Sequence, residues 1–201
     1  SILAMIPLAY RAYEPIEKNN RAVEALHNKQ YDRAIDLLSD AIRNSPDNKV
    51  FRQNLVAAYN SKAIELEKIE KDSDALAWYE KALDIEPGNQ TLLRNYISTL
   101  NNIAVSLSNA KKFPDSQELF ERAGSKLGEL DDGRVRADVR RNYSALLTLW
   151  GAEMMKRNQF EPSKVAFRQS LELDASNTIA LIYLGDLHYE VNEYAAAKRQ
   201  Y

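Results

Sequence analysis

An all-α fold of stacked helix pairs is predicted by three observations on the 201-residue chain. Glycine and proline number six each, about half their usual combined share, which favours long helices over a turn-rich β architecture. The phrase YDRAIDLLSDAIRNSPDN at 31–48 returns as SDALAWYEKALDIEPGN at 73–89, FPDSQELFERAGSKLGEL at 113–130 and FEPSKVAFRQSLELDASN at 160–177, and begins again at Tyr194 as YAAAKRQY. Each phrase sets a small, a bulky and a small residue at offsets of four and three, which is one helical face. The first four sets are Ala34, Leu38, Ala41, then Ala75, Tyr79, Ala82, then Ser116, Phe120, Ala123, then Ser163, Phe167, Ser170. The fifth begins with Ala197 and Tyr201.

Upstream of each phrase runs another small-residue column, Ala22, Ala63, Ala104, Gly151 and Gly185, with the same spacings of 41, 41, 47 and 34 as the downstream one. Two helices per unit therefore move together. The units are 15–48, 49–89, 90–130, 131–177 and 178–201, the last incomplete, and residues 1–14 form an N-terminal arm or cap outside the repeat. Units 49–89 and 90–130, and 137–177 after the insert DDGRVR, span 41 residues each. Seven residues beyond 34 are very nearly two helical turns, so they lengthen a helix without rotating its apolar face away. The first helices of units two to four are thus expected to exceed that of unit five by about two turns. Pro15, Pro114 and Pro162 fall in expected first turns, where a missing N–H is harmless, and Asp47 or Ser73 can cap.

These columns resemble the tetratricopeptide repeat, with a period of about 34 residues, Gly or Ala in the first helix, Ala/aromatic/Ala in the second and Pro closing the unit. The copy LIYLGDLHYEVNEYAAAKRQY at 181–201 follows it most closely, Pro46 and Pro87 hold the closing position, and the resemblance covers residues 15–201. It implies a right-handed superhelical solenoid whose first helices line a concave groove for a protein or peptide partner. The Lys/Asn clamp by which chaperone-binding members hold a C-terminal carboxylate is not evident, because its first-repeat positions hold Asn19 and Val23.

Composition narrows the chemistry. A net charge of −2 and a pI near 5.8 lack the basic footprint of nucleic-acid binding. There is no cysteine and no apolar run near the roughly 18 residues of a membrane span. The chain starts at Ser1 without methionine, as a processed or excised piece would, and more protein is expected beyond Tyr201. His27 and His188 stand more than one hundred residues apart with no acidic partner at ligand spacing, and no phosphate loop or nucleophile elbow occurs. No catalysis, metal or cofactor is expected. Glu65, Glu67, Glu70 and Asp72 alternate with Lys62, Lys68 and Lys71 as a solvated, ion-paired face, and Arg134, Arg136, Arg140 and Arg141 form a charged rim broken by Asp131, Asp132 and Asp138.

Binding remains, and the asparagines point to where. Nine positions before the small-residue column stand Asn54, Asn95 and Asn142; three before it stand Asn19, Asn60, Asn101 and Thr148; two before it stand Asn20, Ser61, Asn102, Leu149 and Tyr183. Eight of the sixteen asparagines lie in these columns, although asparagine is a poor helix former. A primary amide offers a donor and an acceptor, the complement of a peptide main chain, and Gln53, Arg94 and Arg141 beside the columns add a polar group and two cations for a carboxylate. The set either holds an extended peptide or bonds amide to amide between adjacent helices. The leading expectation is a peptide-binding interaction scaffold. The alternative is an arm that docks on another domain of its own chain. The nearly all-apolar helix after 178 is the docking surface of that alternative, through Ile179, Ile182, Tyr183 and Tyr189, and the same residues suit self-association.

Overall fold

The computed structural model describes the backbone of residues 2–198 and the side chains of residues 13–190, so Tyr201 lies outside the described residues. Among them every regular element is a helix: α1 (Ile2–His27), α2 (Tyr31–Asn44), α3 (Lys49–Lys68), α4 (Asp72–Ile85), α5 (Gln90–Asn109), α6 (Phe113–Lys126), α7 (Gly133–Lys156), α8 (Phe160–Leu173) and α9 (Thr178–Lys198). Helix α1 packs on α2, α3 on α4 and α7 on α8 as pairs. The chain divides into two compact units, 1–96 and 97–201, with α5 running from the first into the second.

The second helices are all 14 residues long, while the first helices α3, α5 and α7 have 20, 20 and 24. Only residues 69–71 separate α3 from α4, so the added length is helix and not loop. The comparison with unit five comes out differently: α9 has 21 residues, because it runs unbroken through Tyr194, where a second helix was expected to begin. Helix α1 likewise runs without a break across residue 14, and Pro15 is interior to it. Proline costs a helix one internal hydrogen bond there, and its ring is buried. Pro114 and Pro162 do sit in first turns.

Four turns join first to second helices, and all are built alike. Lys29, Glu70, Lys111 and Asn158 have φ of 56–59°, the left-handed conformation that ends many helices. The next residue bonds back across the turn: Gln30 N to Ala25 O, Lys71 N to Leu66 O, Lys112 N to Leu107 O and Gln159 N to Met154 O, at 2.8–3.0 Å. Side chains cap the first helices instead. Asn48 accepts from Val50 and Phe51 N, Asn89 from Thr91 and Leu92 N, Asp132 from Arg134 and Val135 N, and Asn177 from Ala180 N. Asp47 and Ser73 cap nothing: Asn48 has taken the position before α3, and Lys71, which precedes α4, makes no side-chain cap.

The core follows the columns. Leu38, Tyr79, Phe120 and Phe167 are fully buried, as are Ala34, Ala75, Ser116 and Ser163, each large side chain contributing about 1.5–3 kcal/mol. In unit 1, Ala22, Ala25, Ala34, Ile35, Leu38, Leu55 and Ala58 form one cluster, with Tyr59 and Trp78 against it. In unit 2, the Phe120 ring stacks on Tyr143 at 5.3 Å and the Phe167 ring on Tyr183 at 5.2 Å. A Cβ on Gly151 would come within 2.7 Å of Phe167 Cε1, so only glycine admits that ring. At Gly185 an added Cβ meets nothing within 4 Å.

Candidate functional site

On a helix, residues nine and three before the small column lie six apart, about 120° short of two full turns. They therefore occupy opposite flanks of each first helix. The flank nine before the column meets the preceding first helix, and the flank three before it meets the following one. The amides bond where they meet. In unit 1, Asn54 Nδ2 donates to Asn19 Oδ1 at 2.7 Å and Asn95 Nδ2 to Asn60 Oδ1 at 3.0 Å. In unit 2, Asn142 Nδ2 donates to Asn101 Oδ1 at 3.0 Å.

The next rung, between α7 and α9, changes residues but keeps its direction. Asn177, the cap of α9, has its Nδ2 within 3.0 Å of Thr148 Oγ1, 2.8 Å of Ser144 Oγ and 3.0 Å of Ser170 Oγ, so its two hydrogens are shared among the three hydroxyl oxygens. The three hydroxyls are themselves joined at 2.7–2.8 Å and buried. In every rung the later helix donates to the earlier one. Asn19 is buried and the other rung asparagines half-buried, and no buried side-chain nitrogen or oxygen among the described residues lacks a partner. One rung uses one donor and one acceptor of groups that have two of each.

Between the two flanks lies the centre of each first helix. Gln53 and Ala57 on α3, Arg94 at the start of α5, Asn20 and Ile16 on α1, then Asn102 on α5 and Arg141, Ala145 and Leu149 on α7 are exposed. Arg141 pairs with Asp138 at 3.0 Å. Six before the small column, the three long first helices carry Ala57 and Ala145, both exposed, and Ser98, half-buried, whereas α1 and α9 carry the exposed Ile16 and Ile179. Sequence reasoning passed over this column because small residues read as helix contacts; its signal was its place midway between two asparagine columns. The proposed docking residues divide: Ile179, Ile182 and Tyr189 are 59–67% exposed, whereas Tyr183 is half-buried with its ring on Phe167.

The shifted titrations belong to the framework. Burial, reinforced by the Glu121 carboxylate that accepts its hydroxyl proton at 3.2 Å, pushes the Tyr143 phenol up to about 12. Burial likewise raises Tyr79, which donates to Glu67 at 3.0 Å. His27 and His188 are exposed. Among the described residues no three histidines or carboxylates gather as a metal site, and no helix is long and apolar enough to cross a membrane.

Residues 97–123 match the family described as tetratricopeptide repeat. No curated protein matches the chain. Among solved structures, a TPR repeats protein from Bacteroides fragilis NCTC 9343 is similar at a TM-score of 0.49 and 13% identity, over 88% of this chain and 99% of that one. The first TPR of Spaghetti, bound to an HSP90 peptide, has a TM-score of 0.31 and 19% identity over 68% and 93%. BtubC from P. vanneervenii has 0.35 and 19% over 99% and 83%.

Proposed function

We propose that this chain, which carries a tetratricopeptide repeat at 97–123, is a non-catalytic interaction scaffold that receives an extended peptide on the exposed face of its first helices. The observation that carries this reading is the placement of Ala57 in unit 1, between Asn54 and Asn60, and of Ala145 in unit 2, between Asn142 and Thr148: small, exposed, and set between two polar flanks. A small floor lets a main chain come close. In unit 1, Asn20 and Gln53 then offer amides to its C=O and N–H groups and Arg94 a cation to its carboxylates; in unit 2, Asn102 and Arg141 do the same. Within each unit the rungs, Asn19 with Asn54 and Asn60 with Asn95, then Asn101 with Asn142, hold neighbouring first helices at a fixed spacing. A contact made through main-chain groups accepts many side-chain sequences.

The test is a displayed library of random-sequence peptides, selected on the wild-type chain. Enriched peptides should lose binding to Ala57→Glu or Ala145→Glu, exposed substitutions that leave melting unchanged. No enrichment over an uncoated surface, or enriched peptides indifferent to both substitutions, would contradict the reading.

A further inference from the structure

Beside the turn from α1 to α2 lies an open notch of about 120 Å³, lined by Arg21, Glu24 and Ala25 of α1, by Asn28 and Gln30 of the turn and by Arg33 of α2. None of these residues belongs to the exposed face of the first helices. The two guanidiniums set the notch apart. Arg43 pairs with Asp40 at 3.0 Å and Arg52 with Asp47 at 3.9 Å, but no carboxylate of the described residues pairs with Arg21 or Arg33. Arg33 Nη1 donates to Gln30 Oε1 at 3.1 Å, a neutral group that orients the guanidinium and leaves the Gln30 NH2 free to donate. The Asn28 amide bonds nothing.

Two comparisons of register show what the notch lacks. Arg21 stands one before Ala22, as Lys62 stands one before Ala63 on α3. Lys62 holds Asp32, from the first turn of α2, at 3.1 Å and Glu65, three residues on, at 3.2 Å. Arg21 has Glu24 at the same step of three and no carboxylate in the place of Asp32. Arg33 stands one before Ala34, where α4 has Asp74 and α6 has Asp115. A cation in a first turn opposes the helix dipole, so helix stability does not account for Arg33.

We infer that the notch is a carboxylate site. Arg21 and Arg33 grip the carboxylate oxygens from two helices, while Asn28 and Gln30 donate from the turn. Two guanidiniums and the Glu24 carboxylate leave one positive charge in excess, which matches a monoanion and disfavours a phosphate dianion. The ligand is the carboxylate of an acidic side chain, or of a chain terminus, on a protein partner.

The test is NMR of the arginine Nε–H groups in the full chain. N-acetylglutamic acid α-amide carries a side-chain carboxylate and N-acetylglycine a terminal one. Each should shift the Arg21 and Arg33 signals along a saturable curve, and the tighter of the two identifies the source. Arg21→Ala, read at Arg33, and Arg33→Ala, read at Arg21, should each weaken binding about five-fold, the range of an exposed ion pair, while Arg43→Ala leaves it unchanged. Glu24→Gln should tighten both carboxylates and admit inorganic phosphate. Shifts that stay linear and match those of sodium chloride at equal ionic strength would overturn the inference. So would inorganic phosphate binding the unsubstituted chain more tightly than either carboxylate.

Discussion

Units 1–96 and 97–201 use the same columns with different chemistry. In the first, the small positions of the second helices are Ala34, Ala41, Ala75 and Ala82, all buried and apolar. In the second, three of the four are serines, and each hydroxyl has a first-helix carbonyl to bond: Ser116 to Ala104 O at 2.7 Å, Ser163 to Gly151 O at 2.8 Å and Ser170 to Ser144 O at 2.9 Å. The column demands small volume above all. A hydroxyl is admitted because a helix carbonyl keeps a second lone pair after its backbone bond, so a buried serine there carries no desolvation deficit.

The bulky column should show the largest effect and the least difference between units. Tyr79→Ala and Phe167→Ala each remove a fully buried ring and should cost about 3–5 kcal/mol in urea unfolding. Tyr79 should stand at the upper end because its loss also leaves Glu67 without that hydroxyl. A much smaller cost in one unit would show that its core collapses around the gap.

Polar bonds should separate the units more clearly. Asn177→Ala strips three buried hydroxyls of a shared donor, at about 1–3 kcal/mol, and removes the cap of α9 for about 1 more. Asn54→Ala in unit 1 breaks one rung between a half-buried and a buried amide and should cost about 0.5–1.5 kcal/mol, offset in part by alanine's helix preference. Equal costs would mean that the buried network gains nothing over a simple amide pair.

The turns invite a gain. Glu70→Gly in unit 1 relieves a left-handed side chain and should stabilise by up to about 1 kcal/mol, whereas Asn158→Gly in unit 2 should gain less, since asparagine already tolerates that backbone. Melting curves of the two variants rank them directly.

The smallest effect is a pH dependence. The folded Tyr143 phenol loses its proton near 12, above the ordinary value of 10. The folded state therefore retains the proton after the unfolded state has lost it, and this contribution is complete below about 10 and lost as pH rises toward 12. Tyr143→Phe should flatten stability over that interval. An unchanged slope would remove Tyr143 from the account.

Most of the framework was legible because helix pairs leave periodic traces. Small residues must recur where helices touch, and the columns at Ala22 and Ala34 identified the contacts before any coordinate. The caps were legible but overlooked: Asn48, Asn89 and Asn177 each stand seven after the last small residue of the preceding second helix, Ala41, Ala82 and Ser170, and Asp132 stands nine after Ala123, whereas Asp47 and Ser73 suit a cap by residue type alone. Pairing between adjacent helices was one of the two readings of the asparagines, but which amide meets which was hidden. A sequence column shows that amides recur, but only the rotation of the two flanks on adjacent helices shows that Asn54 faces Asn19 while Ala57 faces solvent. The course of α9 was misread for a local reason, since residues 190–194 carry the turn pattern in a segment that the structure holds as helix.

One set of variants tests the central claim, that rungs hold the helices and the face between them binds. Melting temperature and affinity for a selected peptide are measured on Asn54→Ala and Asn142→Ala beside Asn20→Ala and Asn102→Ala. The account predicts that the rung variants lower melting, while the exposed variants weaken the peptide by several-fold, about 0.5–1.5 kcal/mol per lost hydrogen bond, with melting unchanged. Rung variants that melt like the wild type, or exposed variants that bind the peptide fully, would contradict it.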